Sequence, residues 1–188
     1  MKVVIASSLF LSMMFVSCGA QEDQTKQEEV APLSSEDVST EIETLKKLNN
    51  NLIAAEPSTT FSAGKALYHA ANEFVIKHPH HEKTPTVLEL SAKGAEAMQQ
   101  FQESVNILDK LINEFPESEE TPNYMMNKAR IVEEKIKSLD DAKAAYNELI
   151  NRFPEHQLAK DAKLYVDNFL GKTEEDVTKM LDSINAGH

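Results

Sequence analysis

The chain has 188 residues, of which 41% are hydrophobic, and its 31 acidic against 19 basic residues give a formal net charge of −12. A surface of that sign repels phosphate backbones, so we expect no nucleic acid partner. Five glycines, seven prolines and long runs of helical periodicity leave no room for β-hairpins, and the predicted fold class is therefore all-α, in a single domain.

Residues 1–18 have the composition of a lipoprotein signal peptide. Lys2 supplies a positive start, and the apolar run 3–16 is shorter than the roughly 20 residues that a membrane-spanning helix needs. The run leads into Phe-Val-Ser-Cys-Gly, which resembles a lipobox, so Cys18 would be acylated, with palmitate among the expected chains, and would begin the mature protein. Cys18 is the only cysteine, and lipid attachment explains an unpaired cysteine in an exported protein. The alternative is an ordinary secretory signal cleaved near Gly19.

Residues 19–34 are polar and acidic, with almost nothing apolar to bury, so they cannot offset the entropy lost on ordering. We predict that they form a disordered tether between the lipid anchor and a folded domain at 35–188. Directly after the cysteine, the Gln-Glu-Asp at 21–23 resembles acidic signals that send some lipoproteins to the cell surface. A solvated linker without a sorting role is the alternative.

A pattern occurs three times in the predicted domain, each time closing on a proline, at Pro79, Pro116 and Pro154. The spacings are 116 − 79 = 37 and 154 − 116 = 38 residues, a period typical of helix-pair repeats. Counted back from each proline, positions −12, −8, −5, −4 and −1 lie on one face of an α-helix and are mostly apolar. They are Leu67, Ala71, Phe74, Val75 and His78 in the first repeat, Ser104, Leu108, Leu111, Ile112 and Phe115 in the second, and Ala142, Tyr146, Leu149, Ile150 and Phe153 in the third.

Apolar periodicity, together with start and stop signals, predicts a series of helices with short connections. They cover about 35–55, 61–77, 86–99, 122–137, 157–170 and 173–184, and the second helix of each repeat ends at the closing proline. Thr84-Pro85 and Thr121-Pro122 each predict a capping threonine with proline at the first helical position. Gly171 predicts the stop before the last helix, which we expect to cap the open end of the stack.

The third repeat carries residues typical of a known repeat family. Ala142, Tyr146 and Pro154 match the small residue, the aromatic residue four positions later and the closing proline of a tetratricopeptide repeat. The ending Leu-Ile-x-x-Phe-Pro-Glu, present in the second and third repeats, resembles the long-repeat variety found in envelope proteins of Gram-negative bacteria, such as the barrel-assembly lipoprotein and the periplasmic cell-division coordinator. Two departures are alanine at Ala92 and Ala129, where glycine is usual, and the absence of tryptophan.

The resemblance covers about residues 60–185 and implies helix pairs stacked as a short right-handed superhelix, in which the first helix of each pair lines an inner groove. Together with Cys18 it predicts a protein that is lipid-anchored in the outer membrane, facing the periplasm or the cell surface. The partner that it implies is another envelope protein, or a peptide segment of one, docked in the groove. Contact with the membrane is expected through the lipid anchor only.

One set of side chains recurs on the predicted first helices. A shift of 37 residues places Glu89 on Met126, Lys93 on Arg130, and Glu96 on Glu133. The resemblance implies that these positions face the groove, where Lys93 and Arg130 would be basic points that receive carboxylates of a partner. The alternative is an ordinary surface ion pair between residues three apart on each helix.

His78, His80 and His81 lie close together in the loop that closes the first repeat, and with Glu82 they are of types that bind zinc, copper or nickel. A ligand or metal carrier is therefore the alternative function. Because no thiol ligand or helical histidine pair fixes a geometry, we predict no metal site and no cofactor. The chain also lacks a Gly-rich phosphate loop, a nucleophile elbow and any cysteine besides Cys18, so we expect a protein that is not an enzyme.

Overall fold

A computed structural model describes the backbone of residues 35–186 and the side chains of residues 38–183. The predicted signal peptide, Cys18 and the acidic tether lie outside the described residues. Within the described part no strand occurs, and the all-α fold class is confirmed. The α-helices are α1 (Ser35–Ile53), α2 (Thr60–Lys77), α3 (Thr84–Ala97), α4 (Phe101–Glu114), α5 (Thr121–Ile131), α6 (Leu139–Arg152), α7 (Gln157–Asn168) and α8 (Glu174–Ala186). None of these helices is both long enough and apolar enough to span a bilayer.

Consecutive helices from α1 to α7 pack against each other, as the short connections between them favour. First helices of neighbouring pairs also meet, since α1 contacts α3 and α5 contacts α7. The arrangement is the stack of helix pairs, wound as a superhelix, that the repeat pattern predicts. The last helix, α8, has no extensive contact with α1 to α7 among the described residues. Its Val177 and Met180 are half-buried and its Leu181 is exposed, and its role as a cap stays a prediction.

The apolar stripe predicted by counting back from the prolines forms the core. Every stripe position is buried or half-buried, including Ser104 and the half-buried His78. One buried cluster joins α1 and α2 to Val87 of α3, and a larger one extends from α3 to α7. Val75 packs against both clusters, so the core continues from the first helix pair into the rest of the stack.

Two threonines that were predicted to cap helices have a different role. Thr84 Oγ1 donates a hydrogen bond to the carbonyl of His78 at 2.7 Å, and Thr121 Oγ1 donates to the carbonyl of Phe115 at 2.8 Å. Neither hydroxyl caps its own helix, which instead begins at the threonine with proline second. Both threonines are almost fully buried. Each therefore satisfies a carbonyl at the end of the preceding helix and ties one helix pair to the next.

Two glycines allow α2 and α3 to approach each other closely. A Cβ atom on Gly94 would lie 2.8 Å from the carbonyl oxygen of Gly64 and 2.8 Å from the backbone nitrogen of Tyr68. A Cβ atom on Gly64 would lie 2.5 Å from the Cβ of Ala97. Because no side chain fits between the two backbones, glycine is needed at this crossing.

Candidate functional site

The sequence-predicted groove residues lie on α3, on α5 and just after α5, and one arginine links the two helices. Arg130 Nη2 donates to both carboxylate oxygens of Glu96, at 2.9 and 3.1 Å, and its Nη1 donates to Glu134 at 3.3 Å. Desolvation lowers the pKa of the Arg130 guanidinium, but the Glu96 carboxylate outweighs this and leaves the pKa raised. Arg130 is thus held charged between two acids of its own chain.

Lys93 is also paired within the chain. Its Nζ lies 2.8 Å from Glu89, one turn earlier on α3. The pairs expected between residues three apart are therefore replaced, because Lys93 contacts Glu89 and Arg130 reaches Glu96 on the neighbouring helix. The expectation that the two cations would be open to receive carboxylates does not match this pairing.

Glu133 accepts hydrogen bonds from two tyrosines that arrive on different helices. The hydroxyl of Tyr146 on α6 donates to Oε2 at 2.9 Å, and the hydroxyl of Tyr165 on α7 donates to Oε1. The two rings are tilted against each other with centroids 5.6 Å apart. Burial, followed by the interaction with Glu133, raises the pKa of Tyr146 and raises that of Tyr165 to about 12. Both hydroxyls therefore stay protonated as donors, and the carboxylate is fixed in place.

Glu133 owes its position to a π-helical turn, Val132–Ile136, that follows α5. The turn ends at Lys137, whose φ of 62° is left-handed, and the N–H of Ser138 donates to the carbonyl of Val132 at 3.2 Å. The periodicity of the sequence predicted a regular helix to residue 137, so this turn is a feature that only the structure shows.

A pocket of about 310 Å³ opens beside Glu133, and we call it the α5–α7 pocket. It is lined by the carboxylates of Glu133, Glu134 and Asp161, the guanidinium of Arg130, the rings of Tyr146 and Tyr165, and the side chains of Met126 and Ala162. Three of the six predicted groove residues therefore meet in it. Lys93 and Glu96 line a separate depression of about 380 Å³ together with Phe101 and Lys135. Glu96 lines this depression and Arg130 lines the α5–α7 pocket, and the two side chains are hydrogen-bonded to each other.

Tyr165 and Asp161 were missed from the sequence. In the sequence, α7 follows Pro154 as α3 follows Pro79 and as α5 follows Pro116. It therefore occupies the position of the first helix of the next pair. A shift of 38 residues carries Met126, Arg130 and Glu133 to Leu164, Asn168 and Gly171. The repeat therefore adds α7 to the candidate surface but does not select Tyr165 or Asp161.

The histidines of the first repeat are held by separate partners. His78 Nε2 lies 2.8 Å from Glu41 Oε2, and His81 Nδ1 accepts the N–H of Lys83 at 3.1 Å, while His80 is exposed. Among the described side chains there is no group of three or more His, Cys, Asp or Glu arranged to hold a metal ion. The geometry of this loop therefore gives the metal-carrier alternative no support.

Two segments of the chain, residues 87–118 and 126–156, match a family model described as tetratricopeptide repeat. These two segments are similar to tetratricopeptide repeats. The matched segments cover most of α3 with α4 and part of α5 with α6, so these repeats form the centre of the stack. Tetratricopeptide repeats are typical of scaffolds for protein–protein interaction. A comparison with curated proteins gave no significant match.

Proposed function

We propose that this protein is a non-catalytic scaffold that docks a segment of another envelope protein against the side chains of α3, α5 and α7. The observation that carries the proposal is the row of fixed side chains along these helices. Glu96 and Arg130 join α3 to α5, and Glu133 and Tyr165 join the turn after α5 to α7. A surface whose side chains are already held in place loses less entropy when a partner binds.

The proposal of a non-catalytic role is supported by how the polar groups of this surface are engaged. Arg130 is paired with carboxylates, and the tyrosine hydroxyls are protonated and donate to Glu133. Burial and Glu133 raise the pKa of the Tyr165 hydroxyl to about 12, whereas an activated nucleophile needs a lowered pKa, so these hydroxyls act as hydrogen-bond donors. The same contacts suit recognition, because they fix where a partner's charged and polar groups can lie.

We further propose that the protein is attached to the outer membrane through acyl chains on Cys18, facing the periplasm or the cell surface. The support is the lipobox-like sequence and the acidic segment 19–34 that follows it. Several acyl chains on one cysteine hold a protein firmly, whereas one chain binds only marginally. The scaffold would then carry its partner site at the end of a short tether.

Site-specific crosslinking tests the docking surface. A photoreactive benzoyl-phenylalanine is placed at Met126 or Lys93 in the full-length protein, and at Asn113, an exposed position on α4, as the matched control. In cells, we expect covalent adducts with another protein from the first two positions and not from the control. Equal adducts from all three positions, or none from Met126 and Lys93, would contradict the proposed surface.

The anchor has its own test. Cys18→Ser should move the protein from the membrane fraction to the soluble fraction, because the lipid alone is proposed to hold it. The mature wild-type protein should also exceed its peptide mass by the mass of the acyl groups. An unmodified N-terminus at another residue would refute the lipid anchor and leave the docking surface untouched.

A further inference from the structure

The α5–α7 pocket has the size and walls of a site for one side chain of a partner. Its volume of about 310 Å³ lies at the lower end of the range for small ligand sites. Tyr146 and Tyr165 present aromatic rings, and Met126 adds a flexible thioether side chain. These groups can cover the methylene stem of a long side chain, while the polar groups among them determine what its tip must be.

The polar groups of the pocket are strongly unbalanced in sign. Three carboxylates line it, and the single cation, Arg130, already donates to Glu96 and Glu134. Asp161 Oδ1 accepts from Gln157 on its own helix at 2.8 Å. An ionised carboxylate has about four lone-pair sites, so Glu133 keeps acceptor capacity beyond its two tyrosine bonds. The pocket therefore offers acceptors and negative charge, with no cation that a partner's carboxylate could use alone.

The charge of the chain also selects the occupant. The segment 19–34 carries four carboxylates against one lysine, so the protein's own N-terminal segment would be repelled. A second copy, at a formal net charge of −12, would present the same sign. A cationic side chain of a different protein is attracted by the carboxylates and by the faces of the two tyrosine rings.

We infer that the α5–α7 pocket binds an arginine or lysine side chain of the docked partner segment, with Glu133, Glu134 and Asp161 receiving the cation and the two tyrosines flanking it. This inference rests on the proposed function, since it names the chemistry of a partner for the same surface. It also reverses the direction of the charge complementarity expected from Lys93 and Arg130. The partner contributes the cation, and this protein contributes the carboxylates.

The test uses the purified full-length protein and four blocked amino acids as probes, namely the N-acetyl amides of arginine, lysine, leucine and glutamate. Ring signals of the four tyrosines are followed by NMR during titration, because only Tyr146 and Tyr165 line the pocket while Tyr68 and Tyr124 serve as internal controls. Fragments of this size bind with dissociation constants on the order of millimolar. We expect the arginine and lysine probes to shift Tyr146 and Tyr165 only, and the leucine and glutamate probes to shift neither.

Charge variants sharpen the result. Glu134→Gln with Asp161→Asn removes two exposed charges of the pocket, so folding should be preserved. The matched control, Glu155→Gln with Asp167→Asn, makes the same change in net charge at exposed positions that do not line the pocket. We expect about a tenfold weaker dissociation constant for the arginine probe in the pocket variant, and less than about twofold in the control.

Two outcomes would overturn the inference: leucine or glutamate probes that shift the pocket tyrosines as strongly as arginine, or equal weakening in the pocket variant and the control. If crosslinking from Met126 still captures a partner in that case, the docking surface stands and only the chemistry of its pocket is wrong. If the arginine probe binds as expected but no protein is crosslinked, the pocket chemistry stands and the proposed scaffold function fails.

Discussion

The first helix pair and the two central pairs close with different side chains at the same position, the residue before the proline. In α3–α4 and α5–α6 that residue is Phe115 or Phe153, and each packs half-buried against the main core. In α1–α2 it is His78, which packs on the ring of Phe74 and lies 2.8 Å from Glu41 on α1. An apolar closure in the centre of the stack is replaced at its N-terminal end by a polar one.

This difference shows which parts of a repeat are essential to stacking and which can be exchanged. A threonine hydrogen bond joins the first pair to the second and the second to the third. Thr84 donates to the carbonyl of His78, and Thr121 donates in the same way to that of Phe115. After the third pair the equivalent residue is the buried Ala159, which has no hydroxyl. Neighbouring helix pairs can thus be joined without the threonine hydrogen bond, whereas the buried apolar stripe is present in every pair. The family match covers only the two pairs with an apolar closure.

The strongest way to break the centre of the stack is to remove Tyr146, which belongs to both the core and the α5–α7 pocket. The side chain is buried, packs with its ring tilted against that of Tyr165 and donates to Glu133. Tyr146→Ala would leave a cavity and remove one of the two tyrosine donors to Glu133, so we expect a loss of about 3 to 5 kcal/mol in the free energy of unfolding. Denaturant unfolding followed by circular dichroism measures it.

Lys143, on the same helix but exposed, is the matched control for Tyr146. Lys143→Ala should change the free energy of unfolding by less than about 0.5 kcal/mol. Similar losses at both positions would mean that α6 does not present this face to the core. Tyr146→Ala, which removes one wall of the α5–α7 pocket, should also abolish the shift of the Tyr165 signal by the arginine probe.

The junction between the two regions depends on Gly94, and its loss should have the second largest effect. A methyl group there would meet backbone atoms of α2 at 2.8 Å, and backbone cannot move aside as a flexible side chain can. Alanine favours a helix over glycine by about 1 kcal/mol, but overpacking of this kind costs about 1 to 3 kcal/mol and the separation of α2 from α3 adds to it. We therefore expect Gly94→Ala to destabilise the protein by about 1 to 2 kcal/mol in denaturant unfolding.

Lys93→Ala, one residue earlier and exposed, is the comparison for Gly94→Ala. It removes only the exposed pair with Glu89, which is worth a few tenths of a kcal/mol. If Gly94→Ala is as stable as the wild type or more stable, the close crossing of α2 and α3 is not needed. The Thr84 hydrogen bond and the Val75 and Val87 contacts would then be enough to join the N-terminal pair to the centre.

The sequence could predict those features that depend on periodicity. Three prolines spaced 37 and 38 residues apart set the register, and the stripe counted back from them is buried in all three pairs. The burial of Tyr146 and the outward position of Lys143 follow from that register alone. Periodicity works here because each helix must bury one face against its neighbours.

The remaining features depend on contacts between helices, which no local pattern specifies. Thr84 and Thr121 have the residue type and spacing of caps, yet their hydroxyls reach a carbonyl six residues earlier, because the chain folds back around the proline. Arg130 has an acid three residues on, but Glu96 on α3 offers two oxygens. The π turn that positions Glu133 left no signal in the periodicity. Which acid meets which base or tyrosine was therefore decided by packing.

The contact of Glu41 with His78 and Lys77 closes the first pair. Its contribution to the free energy of unfolding should be smaller than those of Tyr146 and Gly94, and it should be the one of the three that depends on pH. Burial raises the pKa of the Glu41 carboxyl, but hydrogen bonds and charges from His78 and Lys77 outweigh it and hold the pKa below its ordinary value of 4.5. The carboxylate therefore stabilises the fold fully above the pKa that it has in the unfolded chain, and the contribution is lost as the pH falls through the lower folded-state value. We expect Glu41→Gln to cost about 1 kcal/mol near neutral pH.

Unfolding of wild type and Glu41→Gln between about pH 6 and about pH 3 measures this contribution. The difference between the two proteins should shrink as the pH falls, because the wild-type carboxyl becomes protonated in both the folded and the unfolded state. Glu43→Gln, at an acid that is 57% exposed on the same helix, is the control and should show almost no difference at any pH. In Glu41→Gln, hydrogen exchange should become faster in α1 and α2 while α4 and α6 keep their protection, since the contact of Glu41 with His78 joins only the helices of the first pair. A difference that stays constant with pH would show that Glu41 acts through its shape and hydrogen bonds, and the first pair would then close without a contribution from charge.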